Sequence, residues 1–213
     1  MGDRAGRRAR LGGALVVCLA TASLLTRAPA TATPRCLGRP ATILGGGAAE
    51  LLVGTPGADT IAALGGDDVV RARGGPDRVC GGGGDDRLHG NDGRDGMTGG
   101  RGRDLLRGAQ GDDTLVGARG GDVLLAERGD DTLRGGVGRD YLLGGAGDDV
   151  HVGGPGDDRL VMYYQGGADT GLAGPGDDYL DSRDGVPDDE VDGAGGVDRC
   201  SRTDPGDVVT NCP

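Results

Sequence analysis

The sequence has no phenylalanine, no tryptophan and only four tyrosines in 213 residues. That scarcity excludes a conventional core organised around large aromatic side chains. There is no lysine, so all 23 basic residues are arginine. The two histidines, His89 and His151, lie in no H-E-x-x-H zinc motif, and no G-x-S-x-G nucleophile elbow occurs, so the chain reads as a non-enzyme. Beyond residue 30 no apolar run is long enough to enter a membrane, which argues against a pore-forming role. The formal charge of −11 disfavours nucleic acid and anionic membranes as partners and favours cations.

The first 30 residues stand apart. Arg4, Arg7, Arg8 and Arg10 precede an apolar stretch from Leu11 to Leu25, and Ala28, Ala30 and Ala32 offer small-residue cleavage positions. Residues 1–30 therefore read as a signal peptide, and the protein as secreted or extracellular. Cys18 leaves with that segment. The four cysteines that remain, Cys36, Cys80, Cys200 and Cys212, are an even set suited to two disulfides, with three connectivities open. Nearness in sequence favours Cys200 with Cys212, which leaves Cys36 for Cys80.

Glycine is abundant, with 49 residues beside 10 prolines, a composition that means disorder unless it is periodic. It is periodic. Cut every nine residues from Gly54, the chain yields twelve nonapeptides up to Val161, among them GGGGDDRLH, GAQGDDTLV and GGPGDDRLV. All twelve have Gly at position 4 and Asp at position 6, position 1 is always Gly or Ala, and position 8 is aliphatic or Met except at His151. Glycines permit positive φ and close approach of neighbouring backbones, so positions 1–6 read as a turn and positions 7–9 as a short strand with position 8 inward. After Val161 the frame slips at Met162 and Tyr163, and again at Ser182 and Arg183. The later repeats keep Asp169, Asp178, Asp189, Asp198 and Asp207 at position 6 but lose regularity elsewhere, as capping repeats of a solenoid do.

The pattern G-G-x-G-x-D-x-U-x, with U a large aliphatic residue, resembles the calcium-binding nonapeptide repeat of RTX and haemolysin-type proteins. The flanks CLGRPATILGGG and DRCSRTDPGDVVTNCP are similar to the ends of secreted actinobacterial proteins of this kind. The resemblance implies an all-β fold, a right-handed parallel β-roll with two nonapeptides per coil, so that equivalent residues recur every eighteen. Two rows of stacked carboxylates follow. One holds Asp59, Asp77, Asp95, Asp113, Asp131 and Asp149; the other holds Asp68, Asp86, Asp104, Asp122, Asp140 and Asp158.

Coils about 4.8 Å apart would set neighbouring carboxylates against each other by roughly 3 kcal/mol per pair at an effective dielectric near 20. Cations between the rungs remove that repulsion, and Ca²⁺ suits it because it accepts six to eight carboxylate and carbonyl oxygens. Six aspartates per row leave five gaps, hence at most about ten ions in the regular region. One aliphatic side chain per nonapeptide is a thin core, so folding is expected to be coupled to calcium, and weaker or absent sites are expected after Val161. Asp at position 5 (Asp67, Asp85, Asp112, Asp130, Asp148, Asp157) is replaced elsewhere by Arg, Ala, Gly or Pro and reads as solvated or outer-shell charge. His89 falls at an outward position, and His151 reads as a tolerated core substitution.

The expected organisation is thus a signal peptide at 1–30, a lead-in with a degenerate repeat at 31–53, regular repeats at 54–161, and irregular repeats with a C-terminal cap at 162–213. The expected function is calcium binding by a secreted β-roll. Two other roles suit the same residues: a surface or adhesion protein that calcium makes rigid for an extracellular ligand, and a non-catalytic remnant or partner of a secreted hydrolase.

Overall fold

The computed structural model describes residues 34–162, 167–183, 189–201 and 206–212. The expected signal peptide at 1–30 and the slipped residue Tyr163 lie outside them. All the described residues belong to one compact unit.

Among the described residues there are twenty-one strands and no helix. Apart from an antiparallel hairpin of Arg35–Cys36 with Arg39–Pro40, every pairing is parallel. Alternate strands go to opposite walls, one a nine-stranded and the other a ten-stranded sheet. Leu105 stands beside Arg87 and Val123, and Thr114 beside Gly96 and Thr132, so the ladder advances by eighteen residues per coil as the period requires. At the slips the step lengthens to twenty, as in Val150 beside Thr170 and Tyr179 beside Arg199, and it returns to eighteen at Glu190 beside Val208. Each two-residue insertion is thus absorbed within one coil while the stacking continues.

The strands are longer than the sequence pattern suggests. From Val69–Gly74 to Tyr141–Ala146 each has six residues, spanning positions 7–9 and then 1–3 of the next repeat. The ladder misses only position 1: Leu105 to Arg107 pair with Val123 to Leu125, and pairing resumes at Ala109 and Gln110. A positive φ at position 2, +96° at Ala109 and +84° at Glu127, re-aims the chain so that the next two residues pair again. Only positions 4–6 are left as the turn. Pro56, Pro155 and Pro175 occupy position 3 beyond strands of three residues, and beyond the last of these strands Pro175 forms an isolated parallel bridge with Gly195.

The core is two facing columns of position-8 side chains. Val70, Leu88, Leu106, Leu124, Leu142 and Leu160 line one wall, and Ile61, Val79, Met97, Leu115 and Leu133 the other, all fully buried. His151 continues the second column, also fully buried, with Gly171 next in register. The slip residue Met162 folds inward beside Gly171, where a β-carbon would stand only 2.7 Å from its sulfur. Both cysteine pairs favoured by the sequence are formed: Cys36 with Cys80 and Cys200 with Cys212, at Cα separations of 5.6 and 5.9 Å. The first ties the hairpin to the outer face of the ten-stranded sheet. There Leu37 packs over Gly96, whose missing side chain leaves room for it.

Candidate metal sites

Each position-6 aspartate closes its turn from the inside. All twelve aspartates proposed from the sequence are buried, from Asp59 to Asp158. One carboxylate oxygen has a fixed structural duty: Oδ1 accepts the backbone N–H of the aspartate one coil earlier. The bond is 2.9 Å from Asp68 to Asp86, 2.9 Å from Asp86 to Asp104, 2.9 Å from Asp104 to Asp122 and 2.8 Å from Asp122 to Asp140. The other row obeys the same rule through Asp77, Asp95, Asp113, Asp131 and Asp149. The two rows of stacked carboxylates are therefore present, and they bind coil to coil before any ion is considered.

The second oxygen is different. In eleven of the twelve, every one but Asp59, Oδ2 is buried and has no hydrogen-bond partner. Buried acceptors are rarely left in that state. Oδ2 leans toward the position-1 glycine of its own repeat, and a β-carbon added at Gly81, Gly108 or Gly117 would come within 2.2 to 2.4 Å of it. These glycines are needed for space, since their φ is not in the left-handed region. Position 4 needs glycine for both reasons: φ is +126° at Gly102 and +144° at Gly138, and a β-carbon would meet the carbonyl of the coil below at 2.0 and 1.4 Å. Beside Gly117 a carbonyl oxygen, that of Gly135 in the next coil, points at the same small space as the Asp122 oxygen.

Two or more oxygens converging with no donor between them call for a proton or a cation. Burial raises the carboxyl pKa throughout the ladders, to about 7 at Asp113, Asp149 and Asp158 and to about 6 at Asp77, Asp86, Asp104, Asp122 and Asp131. Burial is the largest cause, and neighbouring carboxylates push most of them the same way. Asp68, Asp95 and Asp140 are raised for the same reason. Among the described residues no three His, Cys, Asp or Glu side chains gather in one place. What the turns offer a cation is an all-oxygen donor set, aspartates of successive coils together with backbone carbonyls, of the hard kind that suits Ca²⁺ and not softer metals. The residues fit that ion.

The ladder does not stop where the period breaks. Asp178 is buried, its Oδ1 accepts the Asp158 N–H at 2.7 Å, its Oδ2 has no partner, and its pKa is raised to about 6. Asp169 and Asp198 continue the same coil-to-coil bonds. The irregular coils therefore keep the carboxylate ladder that their position-6 aspartates indicated. The position-5 aspartates also have a role that their variability hid: Asp85 accepts the Arg103 N–H at 2.8 Å, and Asp130 the Asp148 N–H at 3.1 Å, on the exposed side of the turn.

A parallel solenoid whose turns carry stacked, half-satisfied carboxylates belongs to the class of cation-stabilised β-rolls. A model of the RTX calcium-binding nonapeptide repeat matches residues 44–79, 64–97, 74–106, 89–124 and 125–160, more than half of the sequence. The chain belongs to that family, whose repeats bind multiple Ca²⁺ ions. No curated protein matches it.

Proposed function

We propose that this chain is a secreted, non-enzymatic calcium-binding protein in which ion binding drives folding of the roll. The ligands in this reading are Asp68, Asp77, Asp86, Asp95, Asp104, Asp113, Asp122, Asp131, Asp140, Asp149 and Asp158, each giving Oδ2 while Oδ1 holds the neighbouring coil. Asp59 ends its row without giving an oxygen. The observation that carries the reading is the unbroken series of buried, unpartnered Oδ2 atoms. Without a cation each is a desolvated negative charge stacked on others, so the empty roll is opposed by its own turns at neutral pH. Secretion is supported by the two disulfides, which belong to an oxidising compartment, and by the leader-like residues 1–30. The proposed organisation keeps its boundaries: leader to 30, lead-in to 53, regular repeats to 161, and a cap from 162.

The test uses the chain from residue 31. Circular dichroism in EDTA should show little β signal, millimolar Ca²⁺ should restore it, and titration calorimetry should record several ions bound per chain. Equal β content in both conditions, or no calcium uptake, overturns the proposal.

A further inference from the structure

The two long edges of the roll differ in what stands over the buried aspartates. Along the edge feeding the nine-stranded sheet, three cavities of about 380, 430 and 360 Å³ adjoin one another. The first two share Gly121 and Val123, and the last two share Arg139, Asp157 and Tyr179, so they form one trench along the coil axis. Its lining runs from Arg87 to Arg199, which are six strand steps apart in that sheet, roughly 29 Å at 4.8 Å per step.

Arginines line it. Arg87, Arg103, Arg159 and Arg199 make no salt bridge with any described residue, while Arg139 pairs with Asp157 at 3.0 Å. Arg159 lies between the rings of Tyr141 and Tyr179, 5.7 and 5.0 Å from their centroids, a stack that fixes the guanidinium and leaves its edge outward. Gly121, with no side chain, opens a notch between Arg103 and Arg139. The exposed carboxylates on this edge are Asp67, Asp85, Asp157 and Asp177, the first lying beyond the trench. Among the described residues the opposite edge has Asp112, Asp130 and Asp148 stacked at position 5, no tyrosine, and only two arginines at positions 5 and 7, Arg78 and Arg94, the latter already paired with Asp112.

We propose that this trench binds a linear anionic polysaccharide, and that calcium gates the binding. The proposal rests on the calcium reading above. Arginine forks recognise sulfate and carboxylate groups in two-point fashion, and a row of them rising one or two coils at a time matches a polymer that repeats its charge. An extended acidic peptide offers carboxylates to the same arginines, and the polyglutamate arm of the experiment separates it from a polysaccharide. Single-stranded nucleic acid needs open aromatic faces, and here Arg159 covers both rings. The gate is a consequence of position: Asp86, Asp104, Asp122, Asp140, Asp158 and Asp178 form the wall of the same trench. Empty, that carboxylate ladder repels a polyanion. Without residues 1–30, which carry five arginines and one aspartate, the formal charge is about −15, and ten bound calcium ions would shift it to about +5 and leave the arginines dominant along the trench.

The experiment measures binding of heparin oligosaccharides to the chain from residue 31, in millimolar calcium and in EDTA, with neutral dextran of equal length as control. Binding should require calcium, weaken with salt, and fall at least about tenfold in an Arg103→Ser, Arg139→Ser variant that still takes up calcium and keeps its β signal. Arg78→Ser, Arg94→Ser, on the opposite edge, should bind as the parent does. Heparin binding that survives EDTA or the Arg103 and Arg139 changes overturns the trench, as does tighter binding of polyglutamate or oligo-dT. Normal calcium uptake with no heparin binding overturns the trench alone, whereas absent calcium uptake overturns the calcium reading and the gate with it.

Discussion

The first two turns of the roll and the turns after them hold the same carboxylate in different ways. In the degenerate repeat Glu50 takes the aspartate position, and its Oε2 accepts the Gly46 N–H at 2.7 Å. In the next repeat the Asp59 Oδ2 accepts both the Thr55 N–H at 2.6 Å and the Thr55 hydroxyl at 2.9 Å. Position 2 has no positive φ in either repeat. From Leu64 to Gly154 it has one in every repeat, and from Asp68 to Asp158 no Oδ2 finds a protein donor. The contrast reveals what the cation is for. A turn that supplies its own donors is complete without an ion, whereas a turn whose position 2 is flipped depends on one. In the middle coils the flip accompanies strands of six residues, but at Leu64 and Gly154 it follows strands of three and still leaves Oδ2 of Asp68 and Asp158 bare, so the bare oxygen tracks the flip and not the strand length.

Exchanging one carboxylate in each region should break the comparison most sharply. Asp113→Asn keeps the acceptor that binds Asp95 but removes a buried charge. In calcium the variant should bind fewer ions, and its folding midpoint should move to roughly tenfold higher calcium. In EDTA its sign reverses, and it should be more folded than the parent. Asp59→Asn should leave the calcium stoichiometry unchanged and cost about 1 kcal/mol through disturbed bonds to Thr55. Calorimetry with denaturant titration of both variants decides it; equal loss of ions from the two would erase the distinction between the regions.

Acid should act on the interior turns in the opposite sense from calcium. Twelve ladder carboxyls, Asp68 through Asp158 and Asp178, have folded-state pKa values raised by burial, to about 6 or 7 where largest. A raised carboxyl pKa means that the folded state holds protons the unfolded chain has released. Stability of the metal-free roll is therefore gained as pH falls through about 7 to 6, is fully present below the unfolded value near 4, and is lost as pH rises again. In EDTA, β signal should grow between pH 8 and pH 5. Calcium affinity should fall over the same interval, because the ligands must be deprotonated. Metal-free β content that declines on acidification contradicts this.

Much of this was legible in the spacing of the sequence. The eighteen-residue recurrence, the two aspartate rows and the position-8 column depend only on which residues stack, and a regular period fixes stacking, while the cysteine pairs followed from nearness in sequence. What escaped depends on how one coil meets the next. No single-repeat pattern shows that Oδ1 of Asp86 reaches back to Asp68 while Oδ2 is left bare, or that Gly81 is small to clear a carboxylate. Nor does variability at position 5 reveal that Asp85 and Asp130 still bind the following coil. Glu50 did leave a signal, a carboxylate at the sixth place of GGGAAELLV, but its self-sufficiency lies in the backbone of Gly46.

The smallest effect concerns the one polar side chain in the core column. His151 is fully buried between Leu133 and Gly171 in the ladder, and neither ring nitrogen is hydrogen-bonded. The Thr170 backbone near the ring favours the protonated form and opposes burial, but less strongly than burial acts. Burial lowers the imidazole pKa to about 4, so this group loses folded stability as pH falls from 6.5 toward 4, in the same sense as His89, whose pKa burial also lowers, and against the twelve carboxyls. An unpartnered imidazole in an apolar column is a cost that a similarly sized apolar side chain avoids. His151→Leu should thus stabilise the calcium-loaded roll by roughly 1 to 3 kcal/mol in urea titration, and it should steepen the acid-driven gain of the metal-free chain below pH 6.5. A destabilised variant would mean that the ring nitrogens have partners, and that this coil resembles the self-completing turns at the start of the roll more than its neighbours in the ladder.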